Sequence, residues 1–269
     1  MLETNLPPRY DILGLGVDNL TLTETVDLIQ AWVEAHQHNP TESGKMVITA
    51  NPEYVMAARR DPTFRQIVAH AALRTADGAG LIACGRLWGL PFKRRVTGVA
   101  LTHALAQLSA ALTIQNKSFT LFLLGAGPGV AQEAAAQLQN LYPGVQIAGT
   151  FAGEASPDSD AHTTAQVRAT QPDIVLVAYG MGSLKQDGWM FRNLDDTGAA
   201  VAIGVGGVFD YLTGRVSLAP PLLQNLGLEW AYRLYREPWR WRRMLALPLF
   251  AALVLARIPA HRFKHLKNS

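Results

Sequence analysis

Four apolar runs most constrain what this chain can become: SFTLFLLG (118–125), VQIAGTF (145–151), DIVLVAYG (173–180) and AAVAIGVGG (199–207). None alternates polar with apolar residues, so none suits a strand with one wet face. Continuous apolar strands are buried on both faces, which points to a parallel sheet covered by helices. The stretches between them, GVAQEAAAQLQNLY (129–142), DAHTTAQVRAT (160–170) and LKQDGWMFRNL (184–194), read as those helices. Upstream the alternation recurs. YDILGLGV (10–17) reads as a buried strand. TLTETVDLIQAWVEAH (21–36) reads as a helix with Thr21 and Glu24 in capping-box spacing. KMVITA (45–50) is a strand, followed by a helix with Pro52 in its first turn; PTFRQIVAHA (62–71) is a further helix, and LRTA (73–76) a short strand ending at Asp77. This pattern predicts an α/β fold with a Rossmann-like, doubly wound, mostly parallel sheet.

In such sheets ligands gather at the carboxyl ends of the strands. Here those ends carry ANP (50–52), DG (77–78), GAGPG (125–129), YGMGSLKQD (179–187) and GVGGVFD (204–210). Asp77 is a lone acid in a small, apolar stretch, which suits either a turn or cap or a catalytic base. Gly125 and Gly127, after a strand and before a helix, form part of a dinucleotide fingerprint, in which the backbone can approach a phosphate, or else a tight turn. Lys185 can neutralise a diphosphate and Gln186 can read a sugar or base, or else the pair is the solvated first turn of a helix. Gly206 and Gly207 allow close approach of a ligand, and Asp210 could contact one, the alternative being a helix-capping loop. The seven histidines show no metal-ligand spacing, so no metal site is expected.

The 269 residues are 49% hydrophobic and 17% charged, which is enough for a sizeable core. The single cysteine, Cys84, reads as a small core residue in a reducing compartment, and the N-terminal MLETNLPPRY has neither the basic nor the apolar region of a secretory signal. The net charge of +3 is unevenly spread: residues 233–269 hold 9 of the 24 Lys and Arg but only Glu237 among the 21 acids. There Arg233, Arg236, Arg240, Arg242 and Arg243 interleave with Trp230, Trp239 and Trp241, ahead of the apolar run MLALPLFAALVLA (244–256). That run is short of the roughly 20 residues a span requires. Basic residues and tryptophans around it suit a helix lying on an anionic membrane surface, the alternative being a helix docked on the core or on a second subunit. No nucleic-acid-binding motif accompanies the basic residues. Two units are expected: a core over 1–219 and a helical, membrane-associating appendage over 220–269.

Several segments, in this order, resemble the WecG/TagA/CpsF glycosyltransferase family: TANPEYVMAARRDPTFRQIVAHAALRTADGAGL, RRVTG, LFLLGAGPGVAQEAA, YPGVQIAGTFAG, PDIVLVAYGMGSLKQDGWM, VAIGVGGVFDYLTG and GLEWAYRLYREPWRWRR. The resemblance implies inverting transfer of a sugar, N-acetylmannosamine or a related hexose, from a UDP donor to an undecaprenyl-diphosphate-linked sugar. It implies no metal and no cofactor beyond the donor itself, and a peripheral enzyme at the cytoplasmic face of the membrane. It places the family's threonine and asparagine on Thr49 and Asn51, its base on Asp77, its Lys-Gln pair on Lys185 and Gln186, and its appendage arginines near Arg233, Arg236 and Arg240, closing over the diphosphate. The chain departs from the family pattern at Leu184, Asp187, Leu218 and Ala100, which leaves the donor sugar open. A nucleotide-dependent oxidoreductase, for which Glu154 is a loose candidate for the acid expected near the end of the following strand, and a non-enzymatic membrane scaffold are the competing readings.

Overall fold

The computed structural model describes residues 7–180, 185–220, 222–223 and 227–266, without the side chains of residue 240 and of 259–266. Its centre is an eight-stranded sheet in the order β1-β2-β4-β3-β8-β7-β5-β6. The strands are β1 (Arg9–Ile12), β2 (Leu15–Asp18), β3 (Lys45–Ala50), β4 (Leu73–Ala76), β5 (Thr120–Gly125), β6 (Gln146–Phe151), β7 (Ile174–Ala178) and β8 (Val201–Gly204). All neighbours are parallel except β1 and β2.

That exception corrects the single strand expected over 10–17. The chain reverses at Leu13 (φ 56°) and Gly14 (φ 95°), and the two halves pair antiparallel. Glycine tolerates the left-handed turn, and the Asp11 Oδ1 accepts the Gly14 N–H at 3.0 Å, closing it. The run over 145–151 also differs from expectation in part. It is a strand, but it lies at the sheet edge and is half-buried throughout, whereas β7 and β8 are fully buried.

Side chains of each inner strand alternate between two cores, as the strand period requires. In β5, Leu121 and Leu123 face one layer and Phe122 and Leu124 the other. One layer is built from α1 (Leu22–His38), α5 (Gly98–Ile114), α6 (Val130–Leu141) and α9 (Val208–Leu212). The other holds α2 (Pro52–Arg60), α3 (Pro62–His70), α4 (Ala79–Leu87), α7 (Pro157–Arg168) and α8 (Gln186–Thr197). The predicted capping box is formed: Thr21 Oγ1 accepts from Glu24 N, and Glu24 Oε2 accepts from Thr21 N. Cys84 is buried in the second core, and burial pushes its thiol up to about 12.

The C-terminal segment consists of α10 (Glu229–Arg236), a 3-10 turn (Pro238–Arg240), α11 (Trp241–Met244) and α12 (Ala246–Leu266). Helix α12 packs in the second layer. Phe250 and Val254, one turn apart, are 4% and 3% exposed, and Trp88 Nε1 donates to the Val254 carbonyl at 3.1 Å. Burying such side chains contributes about 1.5–3 kcal/mol each. Removing residues 244–269 would therefore open the core as well as delete a surface.

Two connections fix where a ligand can sit. The chain leaves β3 into α2 on one face and leaves β8 into α9 on the other. Strands β3 and β8 are neighbours, so their carboxyl ends flank a crevice of the kind doubly wound sheets use for binding.

Candidate active site

Strand β4 ends beside that crevice, and Asp77 is the next residue. Its N–H donates to the Ala50 carbonyl at 2.7 Å, which extends the β3–β4 pairing by one step and holds the residue at the sheet edge. Gly78 follows because nothing larger fits: a Cβ there would lie 2.5 Å from Pro52 Cδ. The turn is thus clamped against the start of α2, where Asn51 caps the helix by accepting from Tyr54 N–H at 3.2 Å.

The Asp77 carboxylate is half-buried. Its Oδ2 accepts the Gly98 N–H, at the start of α5, at 3.3 Å. Burial pushes its pKa up to about 7. The Gly98 bond, Arg95 and Arg233 pull the other way, and Glu229 adds to the rise. A carboxyl poised there can exchange a proton near neutral pH.

Arg95 and Glu229 form a two-pronged ion pair, with Nη1 and Nη2 each 2.8 Å from a carboxylate oxygen. It ties the loop before α5 to the first residue of α10, so the C-terminal segment is joined to the site and not only to the core. From α10, Arg233 reaches over the β8 loop: its guanidinium stacks 5.1 Å above the Tyr211 ring, and its Nη2 comes 3.7 Å from where a Gly207 Cβ would be. Arg233 Nε is buried without a hydrogen bond, Glu237 Oε2 being 3.6 Å off. Arg236, three residues further on, is exposed. Arg240 has its backbone in the 3-10 turn, and its side chain lies outside the described residues.

A second carboxyl, Asp187, is 1% exposed at the start of α8, and burial pushes it up to about 7. Tyr54 Oη donates toward both of its oxygens at 3.1 Å. Gln186 Nε2 donates to Tyr54 Oη at 2.9 Å, and Gln186 Oε1 accepts the Gly206 N–H at 3.0 Å. Gln186 is 1% exposed, so both ends of its amide hold the β8 loop to α2. Thr49, 6% exposed, donates its hydroxyl to the Gly204 carbonyl at 3.0 Å and tethers β3 to β8 in the same region.

The fold thus brings Asp77, Asn51, Thr49, Gln186, Gly206, Gly207 and Arg233 around the β4-β3-β8 ends. Lys185 is exposed where α8 begins; Leu184 lies outside the described residues. Gly125 and Gly127 are further along the same edge. Four strand spacings separate β4 from β5, roughly 19 Å. Gly125 is explained by packing and conformation: φ is 106°, and a Cβ would sit 2.9 Å from the Ala178 carbonyl carbon. Gly127 faces more open space, the nearest atom to its Cβ position being Val130 Cγ2 at 3.5 Å.

Tyr54 and the Arg95–Glu229 pair were not singled out from the sequence. Their partners are separated by 133 and 134 residues, so no local spacing could signal them. Glu154, the acid an oxidoreductase would need, is exposed three residues beyond β6. Among the described residues no three His, Cys, Asp or Glu side chains cluster as metal ligands. In the Asp158-Ser159-Asp160 sequence that opens α7, Asp160 is paired with Arg192 at 2.6 Å.

The profile of the glycosyl transferase WecG/TagA/CpsF family matches residues 10–264. Among curated proteins, the chain is 32% identical to an N-acetylglucosaminyldiphosphoundecaprenol N-acetyl-beta-D-mannosaminyltransferase of Bacillus spizizenii, over 79% of each chain. A protein of the same name from Bacillus subtilis is 31% identical, over 88% of this chain and 87% of its own length. One from Staphylococcus aureus is 28% identical over 92% of each.

Proposed function

This chain belongs to the glycosyl transferase WecG/TagA/CpsF family, and on that premise we propose that it moves a hexose, N-acetylmannosamine or a close relative, from UDP to a sugar carried on a polyprenyl diphosphate. The curated relatives are named for transfer of N-acetylmannosamine to N-acetylglucosaminyl-diphosphoundecaprenol, which supports the donor and acceptor classes. The observation that carries the reading is the half-buried Asp77 with its raised pKa beside the Arg233-covered β8 loop.

In the reaction the acceptor hydroxyl oxygen attacks the anomeric carbon from the face opposite UDP. Its proton passes to an Asp77 carboxylate oxygen, the carbon–oxygen bond to the diphosphate breaks, and UDP leaves with the electron pair, so the configuration inverts. One base is enough for this step. The charge that grows on the diphosphate is steadied by Arg233, with Arg236, Arg240 and Lys185 completing the cationic side, and no metal takes part. Gly206 and Gly207 keep the β8 loop free of side chains that would block the donor, and Gly125 and Gly127 face the donor's far end. Asn51, whose Oδ1 is spent on the helix cap, offers its NH₂ to a sugar hydroxyl. Thr49 and Gln186 act through the loops they hold. Offering UDP-N-acetylmannosamine and other UDP-hexoses with a short-chain lipid-diphosphate N-acetylglucosamine, and following UDP release, tests this directly. Acceptor-dependent release from one of them is expected, and none from any would refute the reading.

We place the enzyme on the cytoplasmic face of the membrane, held by the appendage of residues 220–269. No described helix is long and apolar enough to cross a bilayer. What supports peripheral docking is the outer face of α12 and its approach. Leu245, Leu249 and Leu255 are 57%, 50% and 58% exposed, and Trp239 and Trp241 stand out beside Arg242 and Arg243. No charge interrupts residues 244–256. Tryptophan, arginine and an apolar stripe together match a membrane interface, and a second copy of the chain is the other surface that could cover them. The pair Leu245→Gln and Leu249→Gln leaves Phe250 and Val254 in the core. It is expected to weaken sedimentation with anionic vesicles at least tenfold with the melting temperature unchanged. Unchanged sedimentation would remove the membrane role.

A further inference from the structure

The backbone N–H of Gly206, in the loop after β8, can only donate. The Gln186 amide must therefore turn its Oε1 toward it, at 3.0 Å. That choice fixes the other end of the amide: Nε2 donates to Tyr54 Oη at 2.9 Å. The Tyr54 oxygen is then an acceptor on that side, and its single proton has to go elsewhere. It goes to Asp187, whose two oxygens both lie 3.1 Å away. Every bond of the chain Gly206–Gln186–Tyr54–Asp187 points the same way, and Asp187 ends it as the last acceptor. A carboxyl keeps an accepting oxygen whether or not it carries a proton.

The chain is sealed from solvent. Tyr54, Gln186 and Asp187 are 2%, 1% and 1% exposed, so water cannot stand in for a missing partner. Gly204 makes room for the amide, since a Cβ there would lie 2.7 Å from Gln186 Nε2. The Tyr54 ring rests against Phe64, with centroids 5.6 Å apart. At the other end of the chain is the donor side of the site. Gly206 and Gly207 have no side chains to anchor their loop, and Arg233 Nη2 lies 3.7 Å from the Gly207 Cβ position. Where the loop stands under Arg233 therefore depends on what the Gly206 amide meets.

We propose that Tyr54 and Asp187 are positioning residues for the donor: they fix which way the Gln186 amide faces, and through it where the Gly206–Gly207 loop stands to receive the UDP diphosphate. This deepens the sugar-transfer reading and rests on it. It makes Asp187 the terminal acceptor of a hydrogen-bond chain, with no proton to give or take in the reaction.

The direction of the chain supplies the test. Asp187→Leu removes the last acceptor. The Tyr54 proton can then be satisfied only by a turned Gln186 amide, which sets Nε2 against the Gly206 N–H. Asp187→Asn keeps an accepting oxygen. Calorimetric titration of the full chain should show UDP bound about tenfold or more weakly by Asp187→Leu than by Asp187→Asn, the cost of one buried donor left unpaired. The acceptor KM, read with saturating UDP-sugar, should differ far less between the two. Adding Gln186→Glu to Asp187→Leu supplies two accepting oxygens, one for Tyr54 and one for Gly206, and should recover most of the lost affinity. Tyr54→Phe keeps the ring on Phe64 without the hydroxyl. It should also weaken UDP binding about tenfold, and it carries the test if Asp187→Leu does not fold. Equal UDP affinity in Asp187→Leu and Asp187→Asn, or parental affinity in Tyr54→Phe, would overturn the proposal and leave the transfer reading standing. A loss shared equally by UDP and acceptor, or one that Gln186→Glu does not mend, would assign the effect to packing and overturn it as well. If the unaltered protein binds no UDP, the transfer reading falls, and this proposal with it.

Discussion

Asp77→Asn will fold, hold a UDP-sugar as tightly as the unaltered protein, and lose turnover by about 10²- to 10⁴-fold, the usual contribution of a positioned general base. Asparagine keeps an oxygen for the Gly98 N–H and keeps the backbone bond to Ala50, so the turn against Pro52 is preserved. It cannot take a proton from the acceptor. Stability should not suffer. Asp77 has its folded pKa raised from 3.8 to about 7, so it binds its proton more tightly folded than unfolded. Its contribution to stability is full below about pH 4 and is lost as pH rises through about 7. Asparagine removes that loss, so the variant's melting temperature at pH 8 should equal or exceed the parent's. Turnover at the parental rate by well-folded Asp77→Asn would end the assignment.

Arg233→Gln is expected to lower kcat by about 10²- to 10³-fold, the range for removing one preorganised donor from a developing anion. The diphosphate is already charged in the ground state, so KM should rise as well, but by less, because the bridging oxygen gains charge only as its bond to the sugar breaks. The arginine is prepared for the task. Its guanidinium lies over the Tyr211 ring, and its helix is anchored to the site by the Arg95–Glu229 pair. Steady-state kinetics with a soluble acceptor reads both constants without involving the membrane. A rise in KM with kcat untouched would assign Arg233 to donor binding alone.

Much of the scaffold was legible because parallel strands announce themselves. The runs containing β5, β7 and β8 are apolar on both faces since both faces are covered, and Asp77 was expected at the end of a short strand, where it lies. The hairpin was not legible: YDILGLGV keeps its apolar run through Leu13, a leucine held at positive φ, and only Gly14 hints at the reversal. Nor could the run over 244–256 reveal its own orientation. Leu245 and Leu249 on one side and Phe250 and Val254 on the other are equally apolar, so the helical period carries no contrast. Of the membrane contact and core docking that the sequence offered as alternatives, the structure shows the docking on the core, with leucines left exposed on the outer side of the helix. In the site, residue types at the strand ends were visible, but burial was not. Gln186 and Asp187 sit in a polar stretch, yet both are buried by Tyr54, a partner 132 and 133 residues away. The raised pKa of Asp77 comes first from burial, which depends on the same kind of distant packing; of the charged groups that converge on it, Glu229 adds to the rise while Arg95 and Arg233 oppose it.

That Asp77 must be ionised to take the acceptor's proton can be read from the pH dependence of kcat/KM between pH 5 and 9 on a soluble acceptor. The profile should rise tenfold per pH unit below an apparent pKa of about 7 and level off above it. The same limb should persist in Asp187→Asn, because Asp187, also near 7, is enclosed by Tyr54 and Gln186 away from the substrate. A flat profile across that range, or a limb that vanishes with Asp187→Asn, would contradict the account.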